Sequence, residues 1–214
     1  MRFNTISRIF LASIVTTTAC GGYNSSAPNP GSSQGNLHDF SVYTRTSPSI
    51  PLNGTVELQA DGYYGAQQTY QDLTTSATWS TSNAAVATVN KGHVIGGGVG
   101  SATITATSGG NTGSITVVVG LTPTIEIVPS PTSISLSVHE QQFLAKASYS
   151  DGTVLNLTLF VTWSSSKETV LAFSVNDPYD FNPGLATLLT IGDTIVTATE
   201  PTGETASLAV SVVP

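Results

Sequence analysis

Ala77-Thr78-Trp79-Ser80-Thr81-Ser82-Asn83 recurs 84 residues further on as Val161-Thr162-Trp163-Ser164-Ser165-Ser166-Lys167. In both stretches an apolar residue stands two before the tryptophan, and hydroxyl side chains fill the alternate positions. Successive side chains of a β-strand point to opposite faces. The alternation therefore predicts strands with Ala77 and Trp79, or Val161 and Trp163, facing inward, and Thr78, Ser80, Thr162 and Ser164 facing outward. An indole is the largest side chain available to fill the gap of about 10 Å between two stacked sheets.

The repetition extends to both sides of the tryptophans. Ile50-Pro51-Leu52 matches Ile134-Ser135-Leu136 at the same offset, and Gly54 to Ala60 roughly matches His139 to Ala145. Downstream, Ser101-Ala102-Thr103-Ile104-Thr105-Ala106-Thr107 matches Asp193 to Thr199 at an offset of 92, so the second copy carries about 8 extra residues, expected within Val175 to Gly184. Ala102, Ile104 and Ala106 alternate with hydroxyl residues, as do Ile115, Val117 and Val119 after the turn signals of Ser108 to Gly113. These two runs predict a hairpin, repeated by Thr194–Thr199 and Ser207–Val212 around Pro201 to Glu204. Trp79, Trp163, Ile104 and Val117 are the expected structural core.

Composition supports an all-β chain. Thr, Val and Ser abound beside 20 Gly and 11 Pro, and β-branched side chains suit a pleated surface better than a helix. Hydrophobic residues make up 39%, enough for packed cores, but charged residues only 9%, so Ser, Thr, Asn and Gln must supply the polar surface. The net charge is −7. A nucleic acid is not an expected partner, because phosphate backbones are bound by clustered Lys and Arg. A single cysteine, Cys20, precludes an intrachain disulfide and a cysteine-based zinc cluster.

Residues 1–19 read as a signal peptide. Arg2 and Arg8 form the positive region, Ile9 to Val15 the apolar stretch, and Thr18-Ala19 the small-residue exit. The apolar run is shorter than the roughly 20 residues a spanning helix needs. Thr17-Thr18-Ala19-Cys20 resembles the lipobox of bacterial lipoproteins, with Thr17 where leucine is common. The resemblance implies lipidation at Cys20 and membrane attachment through that lipid alone; the competing reading is an ordinary secretory signal with an incidental cysteine. Residues 20–38 then form a tether rich in Gly, Ser, Asn and Pro, too poor in apolar residues to pack. Gly21 is not the aspartate that marks inner-membrane retention in some bacteria, so resemblance to that sorting rule favours the outer membrane or cell surface.

A family resemblance rests on Tyr149-Ser150-Asp151-Gly152-Thr153 followed by Val161 to Ser166, and on Trp79 to Asn83 with Val86-Ala87-Thr88-Val89 and Gly100 to Thr107. These stretches look like bacterial immunoglobulin-like (Ig-like) group 2 domains. The resemblance implies an all-β fold of two tandem Ig-like β-sandwiches, residues 39–120 and 121–214. Such modules occur in invasin- and intimin-like adhesins, in other surface proteins and beside some secreted enzymes. Copy two departs from the pattern after Val170, where Leu171-Ala172-Phe173-Ser174 leads into the extra residues.

No nucleophile elbow, zinc helix or phosphate-cradling loop is present, so no catalytic residue, cofactor or metal site is expected. Gly96-Gly97-Gly98-Val99-Gly100 reads as a turn between strands. Asp177 and Asp180 could offer oxygen ligands to calcium but lack the fixed spacing of an EF-hand. The most suggestive binding residues are aromatic: Tyr63, Tyr64 and Tyr70, expected on a loop, and Tyr179 and Phe181 in the extra segment. Such rings stack on sugars or anchor protein interfaces. The expected role is adhesion, binding or spacing at the cell surface, toward a protein or glycan ligand. The alternative is a carbohydrate-associated module that retains polysaccharide or a partner enzyme.

Overall fold

The computed structural model describes residues 37–65, 69–174 and 182–214. The signal peptide, Cys20, most of the tether, and Asp177, Tyr179, Asp180 and Phe181 lie outside the described residues. All described residues fall in one compact unit, built of strands with a single 3₁₀ turn at Leu136–Val138.

The first nine strands are β1 (Leu37–Thr44), β2 (Ser49–Ile50), β3 (Thr55–Tyr64), β4 (Thr69–Asp72), β5 (Thr78–Thr81), β6 (Ala87–Asn90), β7 (His93–Gly96), β8 (Gly100–Ser108) and β9 (Asn111–Val119). The first strand thus starts at Leu37, inside the stretch expected to be tether. One sheet runs β1-β3-β7-β6, with β4 also on β3, and the facing sheet runs β2-β9-β8-β5. The remaining strands are β10 (Thr124–Val128), β11 (Ser133–Ser135), β12 (Glu140–Gln142), β13 (Leu144–Ser148), β14 (Val154–Asn156), β15 (Thr162–Ser165), β16 (Leu171–Phe173), β17 (Leu185–Leu188), β18 (Gly192–Thr199) and β19 (Thr205–Val213). Their sheets are β10-β13-β14, β12-β17-β16 and β11-β19-β18-β15.

The second set repeats the first strand for strand, with one change. Where β3 is continuous, its counterpart breaks at Phe143 into β12 and β13, so one sheet of the first sandwich becomes two short ones in the second. In both sandwiches a short strand pairs in parallel with the last strand, Ile50 opposite Val119 and Ile134 opposite Val212. Both hairpins expected from sequence are present. The first is tighter than expected, since β8 and β9 are joined by Gly109-Gly110 alone, both with positive φ, as a two-residue hairpin turn demands.

The alternation packs as its period requires. Val56, Leu58, Val94, Ala102, Ile104, Val117 and Val119 close the first core, and Phe143, Leu157, Leu171, Val196, Val210 and Val212 belong to the second. Each tryptophan faces its core from an edge strand and is half-buried rather than enclosed. Trp79 Nε1 donates to the Thr74 carbonyl at 2.8 Å and Trp163 Nε1 to the Thr158 carbonyl at 3.2 Å. The hydroxyls of the same threonines accept the main-chain N–H groups of Ala60 and Ala145. An unpaired buried indole N–H would cost more than the bond itself is worth, so these carbonyls set where each ring can lie. Trp163 also stacks on Phe173, ring centres 5.5 Å apart, with Phe143 completing the cluster.

Gly92 and Gly184 occupy equivalent places, with φ of 84° and 83°. Their carbonyls accept the N–H groups of Leu58 and Phe143, and a Cβ on either glycine would strike the carbonyl of that same residue. The turn from β6 to β7 takes only Lys91 and Gly92. The corresponding connection from β16 to β17 carries the extra residues.

Candidate functional site

Two places outside the cores gather polar and aromatic groups. The first is the outer face of β1, β3 and β4. Along β3, Val56, Leu58 and Ala60 point inward while Glu57, Gln59, Asp61 and Tyr63 point outward. Asp61 should therefore be wet, yet it is only 4% exposed. Two phenols close over it: Tyr43 donates to Oδ2 at 2.8 Å and Tyr70 to Oδ1 at 3.2 Å. Tyr63 and Tyr70 meet edge to face with ring centres 6.0 Å apart, and Tyr70 remains 53% exposed. Burial, followed by the Asp61 carboxylate, pushes the Tyr43 phenol up to about 12. Loss of surrounding water and the same carboxylate raise the Tyr70 phenol.

This arrangement corrects the sequence expectation. Tyr63, Tyr64 and Tyr70 sit on strands, not on a loop. Adjacent residues of a strand face opposite ways, so Tyr64 is turned away from the Tyr63–Tyr70 pair. Tyr43, which the sequence did not single out, takes its place. Tyr179 and Phe181 lie outside the described residues.

The second place is the seam between the sandwiches. Val118 is the outward-facing residue of β9 nearest its end, yet it is fully buried because it joins the second sandwich's core. Ser101 Oγ donates to Asp151 Oδ2 at 2.5 Å and lies 2.7 Å from Thr153 Oγ1, and Ser47 Oγ donates to Glu200 Oε1 at 3.2 Å. The second sandwich thus grips the first with two turns, Tyr149–Thr153 and Glu200–Glu204. Glu200 is 1% exposed; its Oε2 also accepts the Thr202 N–H at 3.0 Å and contacts the Thr202 hydroxyl. That hydroxyl contacts Glu204 as well. The hydrogen bond from Ser101 holds the Asp151 carboxyl below the usual range, and burial raises the Tyr149 phenol. Among the described residues no three carboxylate, imidazole or thiol side chains converge on one point.

Stacked, mostly antiparallel sheets with a short strand crossing to the partner sheet define an Ig-like β-sandwich fold. More particularly, residues 39–119 match the bacterial Ig-like domain (group 2) family. Over 164 residues, 73% of the chain, the sequence is 37% identical to ice-binding protein 1 of Shewanella frigidimarina (strain NCIMB 400), and the match covers 18% of that protein. The chain thus spans less than a fifth of the length of this curated relative. Among solved structures, domains 4 and 5 of the S-layer protein SbsC are similar at a TM-score of 0.36 and 16% identity, covering 84% of this chain and all of that one. Intimin in its complex with Tir90 is similar at a TM-score of 0.30 and 22% identity, covering 41% of this chain and 50% of that one.

Proposed function

We propose that this chain is a spacer of the bacterial cell surface, exported, lipid-anchored through Cys20, and built of two Ig-like modules, 39–120 and 121–214, that act as one stiff element. The seam carries this reading. Independent domains on a string share little surface and move relative to one another, whereas here Val118 is committed to the neighbouring core and three hydroxyl–carboxylate or hydroxyl–hydroxyl contacts bridge the modules. In the ice-binding relative the matched stretch is a minor part of the protein, which supports an accessory, positioning role for it. The proposed role involves no catalysis.

The lone cysteine makes the test direct. In a Cys20→Ser background, spin labels at Ala84→Cys and Glu168→Cys, both on exposed positions of different sandwiches, report the distance between modules. A single narrow distance distribution is the expected result; a broad one means the modules swing freely and the spacer reading fails.

A second reading, glycan retention, is favoured by the Tyr63–Tyr70 pair, whose geometry is fixed in advance by Asp61. Preset aromatic faces bind sugars without an ordering cost. A glycan array probed with the mature chain and with Tyr70→Ala decides it, and binding that survives the substitution rejects this face as the platform.

A further inference from the structure

We propose that the outer face of β3 binds a single, neutral, linear glycan chain along its length, from the Tyr63–Tyr70 pair at one end to Arg45, Gln59 and Glu57 at the other. This rests on the glycan reading of the same face and adds to it the path and the class of sugar. Side chains of one face recur at every second residue of a strand, so Glu57, Gln59, Asp61 and Tyr63 form one row on β3. Neighbouring strands widen it: Tyr43 stands opposite Gln59, Asp39 and Tyr70 opposite Tyr63, and His93 opposite Glu57. From Tyr63 to Glu57 the row is about 20 Å long, room for roughly four pyranose rings end to end.

The end of the row away from the Tyr63–Tyr70 pair is equipped for hydrogen bonding. A groove of about 370 Å³ lies there, with Arg45, Thr46, Thr55, Glu57 and Gln59 in its walls. Arg45 Nε donates to Gln59 Oε1 at 2.9 Å, which orients the guanidinium while engaging only one of its several N–H donors. Arg45 follows Thr44, the partner of Leu58, and so comes up beside Glu57. No ion pair joins the two among the described residues, because Glu57 contacts His93 instead. A guanidinium, an amide and a carboxylate thus stand side by side, and they suit adjacent sugar hydroxyls, each of which both donates and accepts. The middle of the row is different. Asp61 is already engaged by Tyr43 and Tyr70, so a chain crossing it meets phenol rings rather than an open charge.

Charge and ring geometry narrow the class of sugar. Asp39, Glu57, Asp61 and Asp72 share the face with the Arg45 guanidinium, on a chain of net charge −7. A polyanionic glycan is therefore repelled, and a neutral one is not. Tyr63 and Tyr70 are inclined to each other by 61°, and adjacent strands of a sheet twist relative to one another. Such a surface is not flat. It does not match the plane of a crystalline polysaccharide, and it follows a free chain that turns from one unit to the next.

The test is isothermal titration of the mature chain with neutral oligosaccharides of two, four and six units from the β-1,4-glucan, β-1,3-glucan and α-1,4-glucan series, beside oligogalacturonates of the same lengths. In one neutral series the affinity is expected to rise at least about tenfold from dimer to tetramer and to gain little beyond it. Arg45→Ala and Gln59→Ala are each expected to bring the tetramer down toward the affinity of the wild-type dimer, while Lys146→Ala on the second sandwich keeps the wild-type series. Equal affinity for dimer and tetramer, or a tetramer that binds both Arg45→Ala and Gln59→Ala as tightly as wild type, would confine binding to the aromatic pair and overturn the extended path. Tighter binding of the oligogalacturonates overturns the assigned class. No binding in any series rejects the glycan reading itself, a result distinct from binding that ignores chain length.

Discussion

Ser101 of the first sandwich donates its hydroxyl proton to the Asp151 carboxylate of the second across 2.5 Å. This bond favours the ionised carboxyl, so Asp151 titrates below its ordinary value in the folded chain. A carboxyl whose folded pKa is depressed adds stability that is fully present above its unfolded pKa, about 3.9, and is lost as pH falls through the lower folded value. The contact is therefore expected to be indifferent to pH from neutrality down to about 4 and to weaken only in stronger acid. Carboxyl-carbon NMR titration should find the Asp151 midpoint returning toward about 3.9 in Ser101→Ala. An unchanged midpoint would mean the bridge is absent in solution.

The two tryptophans should matter locally. Trp79→Ala and Trp163→Ala each remove a half-buried indole and its bond to a threonine carbonyl, and are expected to cost about 2 to 4 kcal/mol. Trp163 stacks on Phe173 and Phe143, so its replacement belongs at the upper end. Denaturant unfolding followed by hydrogen exchange should place each loss in the substituted sandwich. A loss below about 1 kcal/mol would show that the ring is not part of the core.

Asp61→Ala should release two phenols at once. The Tyr43 hydroxyl would be left half-buried without its acceptor, at a cost of about 1 to 3 kcal/mol. Its pKa should fall from about 12 only part of the way toward 10, since burial, the largest single cause of the rise, remains after the carboxylate is removed. Spectrophotometric titration of the tyrosines reads this directly, and a full return to 10 would mean the carboxylate, not burial, dominates.

Attachment through Cys20 has a simple readout. Cells fed a labelled fatty acid should incorporate it into the wild-type chain and not into Cys20→Ser. Equal labelling of both would remove the anchor from the proposed function.

The sandwich architecture was legible because a period of two is a strong signal when Ala, Ile and Val alternate with Thr and Ser, as in Ser101 to Thr107 and in β9. The extra length of the second copy was also correctly sited, by the change of offset from 84 to 92. Other features had no such signal. Phe143 and Phe173 lie in stretches without clear alternation, so their stack against Trp163, and the break in the strand at Phe143, emerge only from packing. Tyr63 and Tyr64 looked alike as neighbours, and a strand rather than a loop sends them to opposite faces. The seam was invisible because Ser47, Ser101 and Thr202 are three hydroxyls in a chain full of them, and nothing in their spacing marks the ones that face a carboxylate.

The β6–β7 and β16–β17 hairpins keep one register, Ala87 opposite Gly96 and Leu171 opposite Leu188, although the first is closed by two residues and the second by a much longer connection. The ladder is thus indifferent to how much polypeptide leaves and returns between Ser174 and Leu185. That junction is a natural splice point, at which an inserted peptide of another length should leave the flanking ladder in register.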